Sequence, residues 1–242
     1  MNARLSHRDE WPASLRDAMF ELLSAHFVGV ARDQFERDLA NKNWAVLVRD
    51  STCELTGFST FALYRTAFRG RTMSVVCSGD TIVDRSRPAS TALFRCWIQS
   101  VLQLHEPHSS DPLYWLLLVS GFRTYRFLPV FWRRFAPWHD QPTQPGALDL
   151  MHHLATERFG ACYEPATGVV RFERPQVLRA DLNGIPRGRL DDPHIAYFAK
   201  RNPRHECGDE LVCLTRVHRS NLTASGLRMA EAARLPTSLA GA

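Results

Sequence analysis

The stretch from Thr72 to Arg134 constrains this chain more than any other part of it. Met73-Ser74-Val75-Val76-Cys77 has strand character, and the polar group Ser78-Gly79-Asp80-Thr81 that ends it reads as a turn. Over residues 90–104, Ala92, Leu93, Cys96, Trp97, Val101 and Leu104 recur on one helical face. The almost wholly apolar run 113–119 fits a centre strand covered on both sides, and Ser120-Gly121 breaks it before an aromatic, arginine-studded helix over 122–135. Strand, turn, helix, strand, helix calls for a layered α/β core. A turn between a strand end and a helix start is a natural anion site, because free backbone N–H groups gather there.

Upstream, Leu15, Met19, Leu22, Leu23 and Phe27 keep helical spacing, with Ser14 placed to cap them. A short helix over 31–39 precedes a strand over 44–49, and residues 50–54 read as a hairpin turn. A strand over 55–64 follows, with Gly57 as a bulge, then a basic loop over 65–71. Three strands in succession imply an antiparallel meander. Downstream, Asp140 to Gly146 is a proline-rich linker, followed by a helix over 147–159, a strand near 169–172, a polar loop over 179–192, a strand over 211–217 and a short helix over 224–235. Residues 1–140 read as the core, 146–235 as an extension packed on it or completing it, and 236–242 as a loose tail.

At 242 residues, with 45% hydrophobic residues, the chain can bury a sizeable core. Its net charge of +5 suits a phosphate-bearing cofactor or an acidic carrier protein as well as nucleic acid, and the excess is too small to favour nucleic acid. The six cysteines form no CxxC pair or metal-finger spacing, and zinc ligands drawn from His152, Cys162, His205 and Cys207 lack standard spacing, so no metal is expected. Residues 112–122, the longest uncharged run in the hydrophobic middle, fall short of the roughly 20 that span a bilayer. With no signal-like apolar run at the start, a cytoplasmic protein is expected, and the acceptor pattern Asn221-Leu222-Thr223 is set aside.

Two helices, a meander, a strand-turn-helix, an apolar strand and a further helix, from about Leu15 to Pro137, resemble the GNAT (GCN5-related N-acetyltransferase) superfamily. The resemblance implies a mixed, mostly antiparallel central sheet flanked by helices. It also implies that the backbone around Val75, Val76 and Cys77 pairs with the pantetheine of an acyl donor, that the next helix N-terminus holds the donor's phosphates, and that a tyrosine on the last helix, here Tyr125, protonates the leaving thiolate. The family's phosphate loop, Q/R-x-x-G-x-G/A, meets Arg85-Ser86-Arg87-Pro88-Ala89-Ser90 here, with Pro88 and Ser90 where glycines should stand. Proline has no N–H to offer and cannot take glycine's conformations, so the cradle is altered; Arg85, Arg87 and the amides near Ser90 can still bind phosphate by charge and helix dipole.

Each candidate has a structural alternative. Tyr125 is the general acid or one more packed aromatic beside Phe122, Phe127 and Phe131. Asp80 is the base that takes a proton from an attacking amine, or a turn carboxylate bonded to backbone amides. Cys77 is better read as structural than as an acylated nucleophile, and Ser120 either orients the donor or caps the following helix. His152-His153 with Glu157 looks like a paired-histidine acyltransfer motif, but His153 and Glu157 are an ordinary i, i+4 pair. Arg123, Arg126, Arg133 and Arg134 interleave with aromatics, a composition that suits an anionic membrane, single-stranded nucleic acid or an acidic carrier protein.

The expectation is an acyltransferase that moves an acyl group, long-chain if Trp115, Phe122 and Phe127 enclose it, from acyl-CoA or acyl-phosphopantetheine to an amine of a small molecule. The rival is a non-catalytic GNAT-like module whose basic helix docks a protein or an anionic membrane.

Overall fold

The computed structural model describes residues 2–84, 91–140 and 145–231. The elements are β1 (Asn2–His7), α1 (Ala13–His26), β2 (Phe27–Val28), α2 (Arg32–Ala40), β3 (Trp44–Arg49), β4 (Leu55–Phe68), β5 (Arg71–Val83), α3 (Ala92–His105), β6 (Leu113–Val119), α4 (Phe122–Tyr125) and α5 (Phe127–Phe131). Then come α6 (Pro145–Phe159), β7 (Tyr163–Glu164), β8 (Val169–Val170), β9 (Val177–Leu178), α7 (Pro193–Arg201), β10 (Glu210–Arg216) and α8 (Ala224–Glu231). Eight strands form one mixed, mostly antiparallel sheet in the order β1-β3-β4-β5-β6-β10-β8-β7, and β2 pairs with β9 in a separate two-stranded ribbon. The parallel pair in the large sheet is β5 with β6, joined through α3. The segment after residue 146 supplies β7, β8 and β10, and β10 lies directly against β6.

Helices cover both faces of the sheet. On one, α3 to α5, α7 and α8 pack over Val76, Trp115, Leu117, Val119, Leu211 and Cys213. On the other, α6 covers Val75, Cys77, Leu116, Val212 and Leu214, while α1 and α2 cover Ala45, Leu47, Phe58 and Ile82. Strands buried on both faces cannot alternate apolar with polar, which is why β6 is apolar throughout.

Four sequence expectations change. The basic loop over 65–71 is the end of a long hairpin: β4 and β5 stay paired to Phe68↔Arg71, and Arg69 and Gly70, both at positive φ (50° and 75°), make the reversal. The turn at Ser78–Thr81 is strand, because β4 remains alongside as far as Gly57↔Val83 and takes up Gly79-Asp80 as a bulge, where the register shifts between Ser59 and Phe61. The helix over 122–135 is two short helices that end at Phe131. Pro129 removes an N–H from this segment, and the chain beyond it runs extended, Trp132 bridging Leu222 and Ala136 bridging Leu214. Ser14 does not cap α1, whose N-cap is Pro12. Five elements, β1, β2, β7, β9 and α7, have no counterpart in the sequence reading; α7 is announced by Asp192, whose Oδ1 accepts from the His194 N–H at 3.0 Å.

Asn221 belongs to the framework. Its side-chain amide donates to the carbonyls of Arg134 (3.0 Å) and Arg216 (2.9 Å), and its Oδ1 accepts from the Arg134 N–H at 2.9 Å.

Candidate active site

The β5–β6 ladder runs from Ser74↔Leu113 to Cys77↔Leu116 and stops there, although β5 continues to Val83 and β6 to Val119. Beyond this point Leu117, Leu118 and Val119 pair only with β10, and Thr81 to Val83 only with β4. Two backbone edges therefore face each other across a gap at the C-terminal ends of the parallel pair, the position where open α/β sheets bind ligands. Trp115 Nε1 donates to Ser78 Oγ at 3.0 Å at the narrow end of the gap. Leu178 of β9 lies over its far end, so close to Gly121 that a Cβ there would sit 3.3 Å from Leu178 Cδ1.

On the α2/α6 face of this gap a group of charged side chains converges. Asp80 shares its sheet face with Ile82, and Glu210 shares its face with Val212 and Leu214, so both carboxylates point toward the helices that pack there. Lys42, in the turn after α2, reaches across the bulge: a Cβ on Gly79 would lie 2.5 Å from Lys42 Cε and 3.1 Å from its Nζ. Glycine at 79 is what lets the lysine stem pass. Asp38, near the end of α2, completes the group, and Arg158 of α6 ties the two helices by donating to the Asn41 carbonyl at 3.1 Å.

Burial dominates the electrostatics of the group. It pushes Asp80 up to about 6, an effect that Lys42 opposes and Asp38 reinforces. Burial pushes Glu210 further, to about 8, with the Asp80 charge adding to the shift, Lys42 opposing it and Asp38 adding to it. The Asp38 carboxyl is also raised by burial, against the charges of Lys42, Arg37 and Arg158. Both carboxyl groups are therefore held above the ordinary carboxylate range, Glu210 further than Asp80, and the Asp80 charge favours the neutral form of Glu210. Two carboxyl groups whose environments separate their pKa values are an acid and a base side by side.

A meander, a strand leading through a helix into an apolar strand, and a mixed, mostly antiparallel sheet flanked by helices are the arrangement the sequence resemblance implies. The fold is mixed α/β, one large and mostly antiparallel sheet with helices on both faces. No family model matches the sequence. Among solved structures, the GNAT family N-acetyltransferase YhbS of Escherichia coli, determined in complex with CoA, is similar at a TM-score of 0.40 with 16% identity, covering 61% of this chain and 77% of that one. A probable N-acyltransferase from Enterococcus faecalis gives a TM-score of 0.40 at 14% identity, covering 56% of this chain and 33% of that one. Tetrahymena GCN5 gives 0.39 at 11% identity, over 59% and 84% of the two chains. A curated protein named hydroxyisourate hydrolase, from Glycine max, is 31% identical over 112 residues, 46% of this chain; the chain spans 19% of that relative's length.

Of the residues singled out in the sequence, Asp80 stands beside the gap, in the group of converging charged side chains. Val75, Val76 and Cys77 border it, but their backbones lie inside the sheet, between Tyr64, Leu63 and Ala62 on one side and Tyr114, Trp115 and Leu116 on the other, which leaves no edge there for a donor. The open edge begins one residue later, at Ser78. Cys77 is buried, as a structural cysteine would be. Ser120 is half-buried at the end of β6, and Gly121, not Ser120, is the N-cap of α4. Arg85, Arg87 and Ser90 lie outside the described residues.

Tyr125 is fully buried among Phe135, Tyr197 and Phe198, and its hydroxyl donates to the Pro137 carbonyl at 2.9 Å. Burial raises its pKa well above that of a free phenol. His153 and Glu157 form the expected pair at 3.5 Å, and His152 Nδ1 meets the Tyr163 hydroxyl at 2.7 Å.

Sequence reasoning missed Glu210, Lys42 and Asp38. Glu210 could have been found by extending the β10 alternation one step back from Val212, and Lys42 by its rarity, since the only other lysine is Lys200.

Proposed function

We propose that this chain is an acyltransferase that moves an acyl group from a pantetheine thioester, carried by coenzyme A or by an acyl carrier protein, to an amine of a small molecule. The observation that carries the reading is the convergence of the open β5–β6 gap with two carboxyl groups, Asp80 and Glu210, that burial holds above their ordinary range. In this reading the pantetheine arm lies along the free edges that begin at Ser78 and Leu117, as an added strand would, and presents its thioester to the α2/α6 face. Asp80, ionised, accepts a proton from the attacking amine as the N–C bond forms. Glu210, protonated, donates its proton to sulfur as the C–S bond breaks. The pair is then left with its proton on Asp80 and its charge on Glu210, and resets by proton exchange. Tyr125, its proton committed to Pro137, serves packing in this scheme, and the acid role passes to Glu210.

The test is thermal unfolding with acetyl-CoA, a long-chain acyl-CoA and free coenzyme A, followed by assay of thiol release with a panel of amines. A preferred thioester that raises the unfolding temperature and loses its thiol only in the wild type, not in Asp80→Asn, supports the reading. Stabilisation by anionic vesicles alone, with no thiol release from any donor, overturns it in favour of a binding module.

A further inference from the structure

The other side of the gap carries a basic surface that the acid–base scheme does not use. Phe122, Arg123 and Arg126 of α4 and its C-cap, with Pro186 and Arg189, enclose a pocket of about 340 Å³ immediately after the end of β6. Arg126 Nε is 3.3 Å from Asp192 Oδ2, and Arg123 Nη1 donates to the Leu182 carbonyl at 2.9 Å, so two guanidiniums are held in place at the rim. With Arg187 also exposed nearby, four arginines stand against Asp191 and Asp192, a net positive charge around a cavity.

Exposed apolar residues follow these arginines in the chain. Phe127 follows Arg123 by four residues, Val130 follows Arg126 by four, and Leu190 adjoins Arg189; they are 39%, 39% and 44% exposed. These are three of the five large hydrophobic side chains left exposed among the described residues, and they follow arginines of the pocket lining along the chain, Phe127 after Arg126 and Leu190 after Arg189, with the Val130 N–H on the Arg126 carbonyl. Exposed apolar residues rimmed by one sign of charge mark a docking surface for a partner of opposite charge.

We infer that this face docks a small acidic carrier protein, and that the arginine pocket receives the single phosphate of its phosphopantetheine arm. The inference rests on the acyl-transfer reading and narrows the donor. The arm would cross from the arginine side, through the β5–β6 gap, to the carboxylates on the opposite face. A carrier-bound arm brings one phosphodiester, which a pocket of arginines can hold with bidentate hydrogen bonds. Coenzyme A brings a pyrophosphate and leans on a glycine-rich cradle, for which this sequence has Pro88 and Ser90 instead of glycines. The apolar residues and the outer arginines would meet the carrier's acidic surface.

The test measures binding of an acidic acyl carrier protein in its acyl-phosphopantetheine form, of the same protein lacking the arm, and of an acyl-CoA of the same chain length, to the full chain and to Arg189→Glu and Leu190→Asp. Both substituted side chains are exposed, and an unchanged unfolding temperature confirms that each variant is folded. The expected result is that the acyl-carrier binds the wild type more tightly than acyl-CoA does. Binding should weaken with salt, Arg189→Glu should cost roughly tenfold in carrier affinity, and Leu190→Asp should weaken carrier binding while leaving acyl-CoA affinity unchanged. Turnover of acyl-CoA with no carrier binding would overturn the carrier inference and leave the transferase reading standing. Carrier binding unaffected by either substitution, or binding only of vesicles containing one-third phosphatidylserine, would also overturn it. Acyl-carrier binding without thiol release from any donor would sink the transferase reading and keep the docking face.

Discussion

At the scale of single residues, the proposed chemistry turns on two groups. With Asp80 active as the base and Glu210 as the acid, the rate should climb as pH rises through about 6 and fall as it rises through about 8. Glu210→Gln should remove the alkaline limb and lower kcat by about 10²-fold or more, and Asp80→Asn should remove the acidic limb. Asp80→Asn also takes away a charge that raises Glu210, so any residual activity should fall off at lower pH than in the wild type. Tyr125 supplies the contrast. Tyr125→Phe deletes one buried hydrogen bond and leaves the Pro137 carbonyl unpaired, a loss of about 1–3 kcal/mol seen as a lower unfolding temperature, with turnover nearly intact. A collapse of turnover in a folded Tyr125→Phe variant would return the acid role to the phenol.

At the scale of elements, the site depends on how β5 ends and on what α2 lays across it. The bulge at Gly79-Asp80 turns Asp80 toward α2, and the missing side chain at 79 admits Lys42. A methyl at 79 would sit 2.5 Å from Lys42 Cε and 2.6 Å from Thr60 Oγ1, so Gly79→Ala should displace the lysine end, which is free to move, without unfolding the sheet. Because Lys42 holds both carboxyl groups down, Gly79→Ala and Lys42→Met should each move both limbs of the pH profile upward; an unmoved profile in Lys42→Met would remove the lysine from the site.

The sequence made much of this scale legible. The β3 and β6 spans agree with their apolar runs, and the residue-50 turn is held as turn chemistry dictates, Asp50 Oδ1 accepting from the N–H groups of Thr52 (2.9 Å) and Glu54 (3.1 Å). What it hid depends on partners distant in sequence. Ser78-Gly79-Asp80-Thr81 has turn composition, and it becomes strand because β4 is long enough to pair with it. Gly208-Asp209 before Glu210 looks like loop, yet Asp209 is buried and held by Arg171 Nε at 2.8 Å, which fixes the start of β10. Pro129 marked the break in the 122–135 helix, and aromatic periodicity masked it.

At the scale of the whole molecule, the proposed reaction gives one sheet a donor side and an acceptor side, with the gap between β5 and β6 as the passage. Among the described residues no helix is long and apolar enough to cross a membrane. Keeping two carboxyl groups largely out of water has a consequence for stability. Both have folded-state pKa values above their ordinary values of 3.8 and 4.5, so the fold favours their neutral forms. Their contribution to stability is full below the unfolded values and is lost as pH rises, through about 6 for Asp80 and about 8 for Glu210. The unfolding temperature of the wild type should therefore decline between pH 6 and 8 more than that of Glu210→Gln. Equal slopes would show that Glu210 ionises freely and has no part as an acid. The most direct test of the central claim is the pH dependence of thiol release, measured with the preferred thioester and an amine acceptor, in the wild type and in Glu210→Gln. A bell centred near pH 7 that loses its alkaline limb in the variant is the predicted result; the same profile in both proteins, or no thiol release from either, would contradict it.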